Sequence, residues 1–177
     1  MISYFYPLTI WGESMNITKI IEFFFEAMRN GWAMPVPKTP IPGLPGAKSI
    51  PFRIGEYSLL DYYFVAPGSK SSYGTTVIWV VEKPVWVMHY GGWYDERAIP
   101  FLKRALMRNY EERIFLGGRG PQQLEGAGHT LQYVNHVEQD GFASFKGYEY
   151  MISTSHLTGV SVGQKLGEHN YFGGLLA

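Results

Sequence analysis

Val77-Ile78-Trp79-Val80-Val81-Glu82-Lys83-Pro84-Val85-Trp86-Val87-Met88-His89-Tyr90 is the longest apolar stretch of the chain, and Glu82, Lys83 and Pro84 interrupt it. A membrane-spanning helix needs about 20 predominantly apolar residues without such a break. β-Branched and aromatic residues flank the interruption on both sides, which favours strands. The stretch therefore reads as two strands, at about 74–81 and 84–90, joined by a turn.

Working outward, the same composition predicts a strand at about 54–65 and further strands at about 129–138, 144–152 and 168–175. Between the two groups lies a helix, with Pro100 in its first turn and Leu102, Ala105 and Leu106 on its buried side. Asn109 to Gln123 is expected to be a loop and contains Gly117-Gly118-Arg119-Gly120-Pro121. Near the start, Asn16 can cap a helix running from Ile17 to about Asn30. Ile17, Ile20, Ile21, Phe24, Phe25 and Met28 recur on one face of it, and Gly31 supplies the stop. Prolines at 35, 37, 40, 42 and 45 make Met34 to Ser49 an expected stiff, extended loop.

The two groups of strands look alike. Ser72-Tyr73-Gly74-Thr75-Thr76-Val77-Ile78 aligns with Phe145-Lys146-Gly147-Tyr148-Glu149-Tyr150-Met151. Each half also ends on an aromatic residue and two glycines, Tyr90-Gly91-Gly92 and Phe172-Gly173-Gly174. Nine extra residues in the second half are placed in Ser153 to Leu166. The expectation is an α+β fold with an internal duplication: a helix plus a three-stranded antiparallel meander, twice, with the helices on one face of the sheets. Residues 15–177 then form one domain with halves of about 15–92 and 93–177, and 1–14 is an N-terminal extension.

These aligned segments also carry a resemblance. Asp61-Tyr62, Lys83 to Tyr90, Phe101-Leu102-Lys103-Arg104-Ala105-Leu106, Arg119-Gly120-Pro121, Phe145 to Glu149 and Phe172-Gly173-Gly174 occur in one order. Together they resemble an uncharacterised prokaryotic domain-of-unknown-function family, found alone or behind repressor-type helix-turn-helix domains. The resemblance covers about residues 50–177. It implies a sensor-like role by analogy and no known chemistry. The family's usual Asn is His89 here, and its usual His before the last two glycines is Phe172, with His169 nearby.

Composition narrows the function classes. Lys+Arg and Asp+Glu both number 15. A neutral chain has little electrostatic hold on phosphate backbones or anionic lipid, so neither nucleic acid nor membrane is an expected partner. The absence of cysteine removes disulfides, thiol catalysis and cysteine-based zinc sites, and fits a reducing, cytoplasmic compartment. His89, His129, His136, His156 and His169 show no metal-ligand spacing. No cofactor is implied. Gly159-Val160-Ser161-Val162-Gly163 matches a nucleophile-elbow pattern, but it is followed only by Glu168 and His169 and by no helix.

Aromatic residues make up 16% of the chain, enough to build a ring-rich core and to line a pocket. Asp61 and Glu149 lie on strands among those rings, where an unpaired charge is costly. Arg119 is the most economical partner for either. Asp61, Trp86, His89, Tyr90, Arg119, Glu149 and His169 are therefore the candidate ligand-binding residues. The expected geometry is one cleft lined by at least Trp86, His89 and Arg119. The leading functional expectation is a non-catalytic, small-molecule-binding or regulatory domain. The alternatives are a small His/Asp/Glu-based enzyme and an interaction module using the proline-rich segment.

Overall fold

The computed structural model describes residues 9–10, 13–14, 16–126, 128, 130–154 and 161–176. The expected extension at 1–14 and the start at Met15 fall largely outside them, as do His129, His156 and the Gly159-Val160 part of the elbow pattern. Among the described residues no helix is long and apolar enough to cross a membrane.

A short pair, β1 (Thr9–Ile10) and β2 (Glu13–Ser14), precedes helix α1 (Ile17–Arg29). Five strands follow: β3 (Thr39–Ile41), β4 (Leu44–Ile54), β5 (Tyr57–Phe64), β6 (Ser71–Val80) and β7 (Lys83–Tyr94). Helix α2 (Ile99–Glu112) then leads to β8 (Gln123–Glu125), β9 (Leu131–Gln139), β10 (Ser144–Ser153) and β11 (Lys165–Leu175). Asn16 caps α1 by accepting from the Lys19 amide. The second helix continues past Asn109, the expected start of a loop, and ends where Arg113 turns left-handed.

The duplicated, two-meander arrangement is overturned. β3 to β11 form one continuous antiparallel sheet of nine strands, in the order β3-β4-β5-β6-β7-β11-β10-β9-β8. The last strands of the two groups pair with each other, from Gly167 opposite Tyr94 to Leu175 opposite Trp86. The matching glycines answer one local packing need instead. Gly74 lies opposite Tyr90 and Gly147 opposite Tyr171. A Cβ on Gly74 would come within 2.5 Å of the Tyr90 ring, and one on Gly147 within 2.5 Å of the Tyr171 hydroxyl.

The expected proline-rich loop is confined to residues 34–38, and from Thr39 onward the segment is strand instead. It forms the hairpin of β3 and β4, turned by Pro42-Gly43 with Gly43 at φ 81°. That is the proline-then-glycine arrangement a type II turn requires. Pro40 sits in the edge strand, where a missing N–H breaks little pairing.

Both helices cover the same face of the sheet. Phe24 of α1 meets Trp86 of β7 edge-on at 5.2 Å and Tyr110 of α2 at 6.4 Å. Leu102, Ala105 and Leu106 of α2 are buried beside Ile20, Phe24 and Met28 of α1. Strand alternation sends Asp61, Thr76, Met88, Tyr90, Glu149 and His169 towards this covered face. Thr75, His89 and Phe172 face the other side.

Candidate functional site

The loop after α2 places Arg119. Gly117 and Gly118 adopt φ of 64° and 69°, which lets the chain double back beneath the helix. The loop is then tied down. Asn109 donates to the Arg119 carbonyl at 3.1 Å, and the Tyr110 hydroxyl to the Gly118 carbonyl at 3.1 Å. Asn135 of β9 donates to the carbonyls of Leu116 at 3.1 Å and Gly120 at 2.9 Å. Tyr171 holds Asn135 in turn, donating to its Oδ1 at 2.6 Å. These bonds come from α2 and the sheet, so the Arg119 backbone is held from both layers.

Arg119 points at Glu149 of β10 and makes a direct ion pair with it. Arg119 is 6% exposed and Glu149 0%. Tyr133 donates its hydroxyl to the second Glu149 oxygen at 2.5 Å while accepting from the Gly120 amide at 3.0 Å. Burial by itself raises the Glu149 carboxyl, but the adjacent guanidinium outweighs it and the net shift is downward. Burial likewise lowers Arg119, and the Glu149 carboxylate more than offsets it. Both groups are thus charged, as a buried pair must be.

Asp61 of β5 is 5% exposed. Its Oδ1 accepts from the Thr76 hydroxyl at 2.9 Å and from the Tyr90 hydroxyl at 2.8 Å. The Arg119 guanidinium lies 5.6 Å from the centre of the Tyr90 ring, so this tyrosine stands between the two charged groups. Burial raises the Asp61 carboxyl, and the two hydroxyl donors and Arg119 only partly oppose the shift.

His169 of β11 is also 5% exposed. It reaches past Gly92 of β7 to Ser72 of β6, with Nε2 3.2 Å from the serine hydroxyl oxygen. Its Nδ1 is buried without a hydrogen-bond partner. Burial, reinforced by Arg119, pushes its pKa down to about 4. The ring is therefore neutral at pH 7.

A cavity of about 280 Å³ opens over these groups, between the helices and strands β5 to β7. Its polar wall includes Asp61, Ser72, Thr76, Tyr90, Arg119 and His169. Met28, Met88, Ile99, Leu102 and Leu106 are part of the apolar wall, and Trp32, Lys48, Lys70 and Glu96 are among the other lining residues. The volume lies just under the ~300–1,000 Å³ typical of sites for drug-sized ligands. Among the described residues no three His, Asp or Glu side chains are grouped to hold a metal ion.

Of the residues singled out in the sequence, Asp61, Tyr90, Arg119, Glu149 and His169 come together, with Glu149 behind Arg119 and outside the cavity lining. Trp86 and His89 do not join them, which corrects the expected cleft. Trp86 is sealed in the core, stacked on Phe142 at 5.2 Å and Phe145 at 5.4 Å. Its indole N–H donates to the Phe142 carbonyl at 3.0 Å. His89 follows inward-facing Met88 and so points outward, exposed, 3.0 Å from the Thr75 hydroxyl. Thr76, Ser72 and Tyr133 escaped the sequence reading. Thr76 and Ser72 are two and six residues from Ile78 on one strand face, so alternation would have flagged them once the inward face was known.

Fold and site together define a domain built on one nine-stranded antiparallel sheet, with a polar-walled cavity beneath two helices. The chain belongs to the family described as a domain of unknown function (DUF5680), whose model matches residues 61–176. No curated protein and no solved structure matches the chain. The matched span holds every residue of the polar wall, together with Glu149 and Tyr133. Met28, Trp32 and Lys48 come from outside it.

Proposed function

We propose that this is a non-catalytic small-molecule-binding domain whose ligand occupies the cavity between the helices and strands β5 to β7. The carrying observation is the convergence of Asp61, Tyr90, Arg119 and His169 on one apolar-walled space. Pockets with few, well-placed polar groups on an apolar wall are the usual form of such sites. A sensing role is supported by the helix-turn-helix association that the family resemblance implies, and a cytoplasmic setting by the lack of cysteine. The test is a thermal-shift screen of metabolites on the wild type and on Leu106→Trp, which fills the space. Hits that raise the melting temperature of the wild type alone support the reading. Hits that stabilise both proteins equally place binding elsewhere.

One observation favours a second reading, hydrolysis. Ser72 and His169 form a hydroxyl–imidazole pair on the cavity wall. Against it, His169 Nδ1 has no acidic partner, and an imidazole pushed down to about 4 is a weak base at pH 7. Labelling of Ser72 by a fluorophosphonate would favour hydrolysis over simple binding.

A further inference from the structure

The charges around the cavity are not equally compensated. Arg119 is paired with Glu149, and Asp95 with Lys70 at 2.8 Å and Arg97 at 2.7 Å. Asp61 is as buried as Arg119 and Asp95, yet no cation lies within 4.0 Å of it among the described residues. Both of its hydrogen bonds go to Oδ1, and none reaches Oδ2 among those residues. Asp61 also lines the cavity. A carboxylate taken out of water is costly unless an opposite charge and further hydrogen bonds compensate it. Thr76 and Tyr90 each present a hydroxyl to Oδ1, which favours the ionised form.

Resting on the reading of the cavity as a binding site, we infer that its ligand is a small organic cation, an amine with an apolar body. The ammonium group donates to Asp61 Oδ2. The body lies against Met28, Met88 and Leu106, which line the same cavity. An ammonium has three donors and no acceptor, which suits the unused acceptor Asp61 Oδ2. The same lining also holds Arg119 Nε, the Tyr94 hydroxyl and His169 Nδ1 without hydrogen-bond partners among the described residues.

The experiment compares three probes of nearly equal shape on the full chain: 2-phenylethylamine, 2-phenylethanol and 3-phenylpropanoate. Titration calorimetry gives affinities, and amide NMR shifts at Thr76 and Met88 report the place of binding. The amine should bind at least about tenfold more tightly than the alcohol, and the carboxylate should not bind. Asp61→Asn should remove that preference. The wild-type preference does not depend on how well the variant folds. If the alcohol or the carboxylate binds in the cavity as tightly as the amine, the inference about charge is wrong and the cavity reading stands. If all three probes fail to bind at millimolar concentration, both are wrong.

Discussion

Removing the Arg119 side chain tests the electrostatic account of the site most directly. Arg119→Ala leaves Glu149, fully buried, with the Tyr133 hydroxyl as its remaining hydrogen-bond donor. Breaking a buried ion pair from one side typically costs about 3–5 kcal/mol, because the other charge is stranded. For a chain of this size, each kcal/mol lowers the melting temperature by roughly 2–4 °C, so a fall of about 6–20 °C is expected. The loss should depend on pH. Without the guanidinium, burial, the largest influence on Glu149, is opposed only by weaker influences such as the Tyr133 hydrogen bond, and its pKa moves above its ordinary value. A group whose folded pKa is raised becomes destabilising as pH rises through that value. Arg119→Ala should therefore lose more stability at pH 7 than at pH 5, relative to wild type. Adding Glu149→Gln should recover at least about 1 kcal/mol at pH 7, since a neutral amide replaces the stranded charge. Urea denaturation at both pH values measures the two losses and the recovery, and thermal unfolding measures the fall in melting temperature. A loss below about 1 kcal/mol for Arg119→Ala, equal at both pH values, would refute a sealed charge pair.

His169 provides an independent pH test. Its folded pKa of about 4 lies below the ordinary 6.5, so its neutral burial stabilises the fold above pH 6.5, and that contribution is lost as pH falls towards 4. Between pH 6.5 and 5 the loss should be about 2 kcal/mol, and the difference between wild type and His169→Phe in urea titrations isolates it. Gly147→Ala should destabilise by more than about 2 kcal/mol, because its Cβ would lie 2.4 Å from the His136 carbonyl oxygen on the neighbouring strand. Thermal unfolding checks this, and a shift under about 3 °C would mean that β9 and β10 separate more readily than their register implies. Asn16→Ala should cost about 1 kcal/mol through loss of the α1 cap, read as a small drop in helicity and in melting temperature. An unchanged melting temperature would show that α1 is held by its buried face alone.

Local pattern was enough for most of the elements. Alternation and turn residues marked β5 to β7 and β9 to β11, and the Asn16 cap with its run of Ile and Phe marked α1. The argument from charge also succeeded on sequence alone. Asp61 and Glu149 among aromatic residues required compensation, and Arg119 was named as the partner; the structure pairs it with Glu149. Prolines misled, because a residue without an N–H signals a loop unless the strand is known to lie at a sheet edge, and edge position is a property of the whole sheet. The two similar Gly-centred segments misled for the same kind of reason. Each glycine makes room for a tyrosine on the next strand, a local requirement that two places in one sheet can share.

Tertiary structure alone decided that β7 pairs with β11. That pairing merges the two groups of strands into one sheet and brings Glu149 and His169 to the same face as Asp61 and Tyr90. It also decided which face the helices cover, and so that Tyr90 joins the site while its neighbour His89 turns to the opposite side. A strand's alternation states that adjacent side chains part company, but not which of them meets the helices. That choice belongs to the packing of two layers far apart in the chain.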